Sequence, residues 1–316
     1  MKGVEMARES VDSWLAVEKG DVAIQGLVAT SVIEAIGRPE PMATTTKDVP
    51  RSGDFAIAGI AKGGTYGETS GTNDYVELVA KKVGGAARFA EEDLDEGPVD
   101  VLATKRKDAA RNMAKFFDNA TLGVSAAISG VTIPFTSAYR ALRTNDANVS
   151  YTADDNYTSG AVSYDNLSTV LGLVEVSDFF DEGEIVVIAH PAFKQSLRGV
   201  KDDNSDPIFI QARAGDGTPS TLFEYPIYWS LGAKVSATAT YAPTGNPLLF
   251  VANRQLLIKG MARLSPKIAT PNPGWALQSA MNGVGYLTDE AIMKMAMRRA
   301  FVVGDPRGVA VFEKTS

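Results

Sequence analysis

The sequence predicts a mixed α+β chain: an extended arm and a β-hairpin, then one long helix, then a compact α/β lobe. Three observations predict it. Residues 43–76 are rich in Thr, Gly and Ser and carry almost nothing suited to a core. Residues 99–123 hold one uninterrupted helical pattern that starts just after Gly97-Pro98 and stops at Gly123. Residues 131–255 alternate short apolar runs with amphipathic stretches, as helices packed on a sheet do.

Residues 1–45 read as an arm. Within it, Asp21–Ile36 places Val22, Leu27, Val28, Val32 and Ile36 at helical spacing, and Gly37-Arg38-Pro39-Glu40-Pro41 stops the pattern. The arm has no partner within its own segment, so it must pack elsewhere, on this chain or on another. Residues 46–80 read as an extended β-hairpin. Phe55, Ile57 and Gly59 alternate with Ala56, Ala58 and Ile60 as in a strand, residues 61–74 are turn-forming, and Tyr75–Lys82 returns as the second strand. A two-stranded hairpin is marginal alone in water and leaves unpaired backbone edges. It is a segment that neighbours would order.

The long helix follows. Leu102, Ala109, Met113, Phe116 and Ala120 fall on one stripe, while Lys105, Arg106, Lys107, Asp108, Arg111 and Lys115 mostly face away. Its length is about 36 Å at 1.5 Å per residue. In the α/β lobe, helices are expected over Tyr164–Phe180 and Pro191–Val200 around a buried strand, Glu184–Ala189, with further strands in Leu222–Ser230 and Leu248–Gly260. Residues 144–158 read as a polar loop. A helix over Asp289–Arg299 and a strand over Val309–Glu313 close the chain.

Composition excludes several function classes. A chain of 316 residues has room for two lobes, and no apolar run approaches the roughly 20 residues of a membrane span. The start is charged and amphipathic, without the apolar core of a signal peptide. The absence of cysteine rules out disulfides, thiolate metal sites and cysteine nucleophiles. A net charge of −7 argues against a nucleic-acid groove, although an acidic chain can surround DNA without adhering to it.

No catalytic motif emerges. His190 is the sole histidine and stands between a buried strand and Pro191, which suits a helix start better than a triad, and no serine sits in a GxSxG turn. Glu91, Glu92, Asp93, Asp95 and Glu96 suit a solvated helix N-terminus and lack calcium-loop spacing. Gly59, Gly63, Gly64, Gly67 and Gly71 form no phosphate-loop pattern. Lys105, Arg106 and Lys107 read as an exposed helical face.

The order of parts resembles the major capsid protein of tailed bacteriophages with the Hong Kong 97-type fold. KKVGGAARFAEEDLDEG (residues 81–97) is similar to the segment where a strand enters that family's first peripheral helix, with Ala90 where a capping Ser is usual. FFDNATLG (116–123) is similar to the end of its spine helix. SYDNLSTVLGLV, VVIAHPAFKQSLRGVKDDNSDPIF and TLFEYPIYWS are similar to central-domain segments, the last with Glu224 where Gly is usual. DEAIMKMAMRRAFVVGDPRGVAVFE (289–313) is similar to the closing helix, strand and Pro-containing end.

The resemblance implies an N-terminal arm (1–45), an extended loop (46–80), a peripheral domain (81–130 and 256–302) with a spine helix near 99–123, and an axial α/β domain (131–255 and 303–316). It implies a structural role without cofactor or metal: pentamers and hexamers closing into an icosahedral shell around double-stranded DNA, in a virion assembled in the host bacterial cytoplasm. Partners would be further copies, a separate scaffolding protein, a portal and a decoration protein, with no membrane. Trp14, Arg51, Lys62, Tyr66 and Glu68 are the expected intersubunit contacts. Some relatives weld subunits through a Lys–Asn isopeptide bond. Here Lys62 lies in the loop, but Asp289 and Ala296 stand where the acceptor Asn and the catalytic acid would, so a non-covalent joint is expected. The rival readings are an encapsulin-type nanocompartment subunit and a hydrolase using His190.

Overall fold

The computed structural model describes residues 31–53, 57–67, 73–95, 100–202, 204–211, 220–262, 274–278 and 289–315. The chain opens with α1 (Val32–Ile36), β1 (Arg38–Met42), β2 (Thr46–Arg51), β3 (Asp74–Val79), β4 (Lys81–Ala90) and α2 (Glu91–Asp95). Next come α3 (Val101–Leu122), α4 (Ala138–Leu142), β5 (Tyr157–Gly160), α5 (Tyr164–Glu175), β6 (Ile185–Ala189) and α6 (Phe193–Leu197). The rest is β7 (Phe209–Ile210), β8 (Thr221–Leu222), β9 (Tyr225–Trp229), β10 (Leu248–Asn253), β11 (Leu257–Ala262), β12 (Gly274–Gln278), β13 (Glu290–Val303) and β14 (Val309–Lys314).

Two sheets carry the body. In the first, β13 runs antiparallel to β4 along one edge and to β12 and β11 along the other, and β1 adds in parallel to β11. In the second, seven strands lie in the order β5-β14-β10-β6-β9-β8-β7. Its central strands β6 and β10 are buried along their whole length, as their unbroken apolar runs require. One face is covered by α5 through Leu167, Val170, Leu171 and Val174, on a helix whose N-cap Ser163 accepts from Asn166 N. The other face meets the end of α3. Phe117, Ala120 and Leu122 share one core with Ile188, Phe250 and Val309 of the second sheet and with Met297 and Phe301 of β13. The long helix is therefore a beam whose C-terminal end is set where the two sheets meet.

Several expectations need correction. Residues 289–299 are not a helix: β13 is a 14-residue strand. Ala, Met, Lys and Arg are strong helix formers, but along its first half Ala291 and Met293 turn inward while Ile292 and Lys294 turn outward, and strands pair with it on both sides. Among the described residues the hairpin ladder is confined to β2 and β3, so Ile57–Ile60 lies outside any strand, with Ile57 89% exposed. Phe55 and Ala56 lie outside the described residues. Of the helix expected over Asp21–Ile36, Val32–Ile36 is helical and residues 21–30 lie outside the described residues. The helices expected to 180 and over 191–200 are shorter, at Tyr164–Glu175 and Phe193–Leu197. At α2, Ala90 offers no capping oxygen, and the Glu91 amide donates instead to the Asp289 carbonyl at 3.0 Å.

Candidate assembly surfaces

The motif FFDNATLG closes α3 with three buried polar side chains: Thr121 bonds within its own helix, while Asp118 and Asn119 reach distant parts of the chain. Asp118 is buried, and its carboxylate accepts from Ser31 Oγ (2.5 Å), Val32 N (3.1 Å), Ile33 N (3.4 Å) and Ser230 Oγ (2.6 Å). Burial raises its pKa, against the hydrogen bonds of Ser230, Ser31, Val32 and Ile33 that lower it. Asn119 donates through Nδ2 to the carbonyls of Gly232 and Lys234, both at 3.0 Å, and accepts at Oδ1 from Ser236 Oγ and Thr240 N. The full capacity of that amide is used. Backbones approach so closely here that a Cβ on Gly123 would lie 1.9 Å from the Lys234 carbonyl oxygen, and one on Gly232 would lie 2.6 Å from Asn119 N. Asp118 thus fixes residues 31–33 at the start of α1, and Asn119 fixes residues 232–240. The sequence reading missed both roles.

The hairpin is clamped at the far end of its ladder, where the open tip begins. Arg51, at the end of β2, donates to Asp74 across the ladder (2.8 Å), to Asp146 (2.9 Å) and to the Gly304 carbonyl (3.3 Å). Burial opposes the charge of Arg51, but the two carboxylates outweigh it and raise its pKa, while the Arg51 hydrogen bond lowers that of Asp74. This clamp ties the end of the ladder to Asp146 and Gly304, while Val49 and Leu78 pack against Ile258, Ala262 and Ala300 of the first sheet. Beyond it, the Gly53 amide donates to Asn73 Oδ1 at 2.8 Å, and among the described residues the ladder goes no further. Tyr66 is 83% exposed, Lys62 is exposed, and Gly63 adopts φ +83°, a turn that only glycine takes without strain.

Of the predicted contacts, Lys62 and Tyr66 therefore stand in the open tip, whereas Arg51 is engaged within its own chain. Trp14 and Glu68 lie outside the described residues. Asp289 is exposed and precedes β13, and Ala296 is buried within that strand opposite Gly84.

Other polar clusters are structural. The Glu313 carboxylate accepts from Tyr139 (2.8 Å), Tyr157 (2.9 Å) and Asn246 (2.7 Å), and the Arg143 guanidinium lies 4.4 Å from the Tyr157 ring centre. Burial works against the Glu313 charge, yet these donors hold its pKa below the ordinary range. The network locks α4, β5 and β14 together. His190 accepts from the Ala192 amide at 3.1 Å, and burial, aided by Lys234, lowers its pKa to about 4. It is a neutral group at the start of the turn into α6. Among the described residues no group of three His, Asp or Glu could hold a metal ion.

The fold recurs in solved capsid proteins. A chain of Microbacterium phage Oxtober96 is similar at 18% identity with a TM-score of 0.67, covering 96% of this chain and 97% of that one. A chain of Mycobacterium phage Ogopogo is similar at 14% identity with a TM-score of 0.68, covering 98% and 100%. The capsid of a native GTA particle is similar at 13% identity with a TM-score of 0.66, covering 96% of each chain. No curated protein sequence matches the chain. The architecture is the Hong Kong 97-type α+β capsid fold. The sequence model of the phage capsid family matches residues 20–265, a span that contains the clamped hairpin, the long helix and its buried Asp118–Asn119 end, and on that ground the chain belongs to the phage capsid family.

Proposed function

We propose that this major capsid protein assembles as pentamers and hexamers into the icosahedral head of a tailed phage, enclosing double-stranded DNA without reading its sequence. The observation that carries the reading is the hairpin tip, which holds Ile57 and Tyr66 in solvent at 89% and 83% exposure beyond a ladder end that Arg51 fixes. Large side chains kept outside every core in a chain of this family are contacts for a neighbouring copy. Trp14 and Glu68 are assigned to the same role, and Arg51 to aiming the hairpin. The first sheet with α3 serves as the peripheral domain (81–130 and 256–302), and the second sheet as the axial domain (131–255 and 303–316). Assembly takes place in the bacterial cytoplasm with a separate scaffolding protein, a portal and a decoration protein. The joints are non-covalent, and the protein performs no catalysis. The encapsulin and hydrolase readings are not favoured, since the sequence match is to phage capsids and His190 sits as a neutral, backbone-bonded group.

Negative-stain microscopy of the purified chain, with and without a candidate scaffold, tests this. Rings or shells are expected, and a strictly monomeric chain under both conditions overturns the reading. Deletion of residues 61–73 is expected to leave a folded subunit that fails to close shells. Unfolding of that subunit would count against the hairpin as an intersubunit element.

A further inference from the structure

Between Val101 and Phe116 no side chain of α3 is fully buried, whereas every residue from Phe117 to Leu122 is. The apolar stripe of that first stretch faces a cleft of about 700 Å³ that separates it from β4 and β13. Ala109, Met113 and Phe116 line it from the helix, and Met293 and Met295 from β13. Opposite them run Gly84–Ala87, and a Cβ placed on Gly85 would meet nothing within 4 Å. A helix that leaves such a stripe only partly buried in the single chain is built to receive something there.

The rim of the cleft is basic. Lys82 and Lys105 border it, and a continuation sharing Arg111, Asn112 and Tyr241 adds Lys115 and Lys234. Among the described residues none of these four lysines has an ion-pair partner, and the only acid on the rim, Asp108, is already paired with Arg111 at 3.3 Å. Four unpaired cations around a Met- and Phe-lined floor, on a chain of net charge −7, specify an occupant that is both acidic and amphipathic. DNA would satisfy the cations but has no use for the apolar floor. The hairpin tip brings a lysine of its own, Lys62.

One stretch of this chain has the required chemistry. Val4, Ala7, Val11, Trp14 and Leu15 recur at helical spacing, and Glu5, Glu9 and Asp12 form a second row at the same spacing beside them. These residues lie outside the described ones. The chain emerges at Ser31, which Asp118 holds at the buried end of the same helix. From Asp118 back to Ala109 is about 14 Å along the helix, a distance the residues between 18 and 31 span with length to spare. We propose that residues 4–18, from the same chain or a neighbouring copy, seat Val11, Trp14 and Leu15 in the cleft and set Glu5, Glu9 and Asp12 against its lysines. The proposal rests on reading residues 1–45 as an assembly arm and gives that arm its receptor.

The chain contains no cysteine, so an introduced pair reports proximity without background. Full-length chain carrying Val11→Cys and Asn112→Cys, mildly oxidised, is expected to form a disulfide, within the monomer or as a dimer on a non-reducing gel. Val11→Cys with Val176→Cys, on the exposed end of α5, is expected to form none. Raising the salt to about 1 M, or adding Lys105→Glu and Lys115→Glu, should lower the yield at least about threefold, and adding Glu9→Lys and Asp12→Lys to the charge-reversed chain should restore it. Equal oxidation of the two pairs, or a yield indifferent to both salt and charge reversal, overturns the proposal. So does a cleft that forms no selective disulfide but retains a double-stranded DNA fragment until the lysines are reversed. Microscopy of the cysteine-free chain separates the two readings: shells without selective cross-linking sink only the seat for the arm, whereas a chain that never assembles sinks the capsid reading itself.

Discussion

The last turns of α3 and the tip of the hairpin both carry aromatic and aliphatic side chains, and they place them in opposite ways. From Phe117 to Leu122 every side chain is buried; Asp118 and Asn119 have all their side-chain oxygens and amide protons engaged, and Thr121 donates to the Phe117 carbonyl. At the tip, Ile57 and Tyr66 meet solvent, and among the described residues no strand pairs with the backbone around them. The contrast separates two kinds of cohesion. The helix end holds one subunit together. The tip represents apolar burial, worth about 25 cal/mol per Å², that a single subunit does not realise. Substitutions at the two places should therefore divide cleanly between folding and assembly.

The largest effect on the subunit is expected at Asp118. Asp118→Ala strips four donors of their acceptor, two of them backbone amides of α1, and should destabilise the fold by about 3 kcal/mol, read as a shift in the urea midpoint. A midpoint equal to that of the parent chain would remove the helix end from its role as keystone.

Asp118→Asn sharpens the same point with a smaller cost of about 1 kcal/mol, because one face of the amide opposes donors with a donor. The pH dependence carries a definite sign. Burial raises the carboxyl above its unfolded pKa of about 3.9, so its contribution is fully present below that pH and is lost as pH rises through the folded value. The stability of the parent chain minus that of Asp118→Asn should thus fall between acidic and neutral pH. A difference that rises over that range would mean that the hydrogen bonds, and not burial, dominate the carboxylate.

How much of this was legible in the sequence depends on how local each cause is. The period of α3 and its stop at Gly123 are local, as is the unbroken apolar run of β6, and both elements lie where the pattern put them. The partners of Asp118 are 87 and 112 residues away, so nothing beside it announced its task. The available signal was a polar pair set between Phe-Phe and Ala-Thr-Leu in a segment otherwise fit for a core. The misreading of Asp289–Arg299 has the same origin: its composition favours a helix, and the strands that overrule it come from distant parts of the chain. At the cleft beside α3 the stripe was visible, but not that half of it would stay only partly buried within the subunit.

A third substitution reverses the sign. Phe223 and Glu224 form the two-residue turn between β8 and β9, with φ of +47° and +71°. Both central positions of such a turn take the left-handed region that favours glycine. Glu224→Gly should therefore stabilise the subunit by about 0.5–1 kcal/mol, measured as a rise in melting temperature. A fall would show that the Glu224 side chain makes a contribution larger than the backbone strain it imposes.

The smallest effect on the subunit is expected where the effect on assembly is greatest. Ile57→Ser with Tyr66→Ser removes apolar surface that is 89% and 83% exposed, so the folded and unfolded chains lose nearly the same hydration cost and the urea midpoint should move by less than about 0.5 kcal/mol. In a shell the same surface would be covered by a neighbour, and the loss would recur at every joint of a closed lattice. Shell yield by sedimentation should then collapse although the subunit remains as stable as its parent. If the variant assembles with undiminished yield, the exposed tip is ornament and the joint must be sought elsewhere. If instead it unfolds, the tip belongs to the subunit's own core, and the division between the helix end and the hairpin fails.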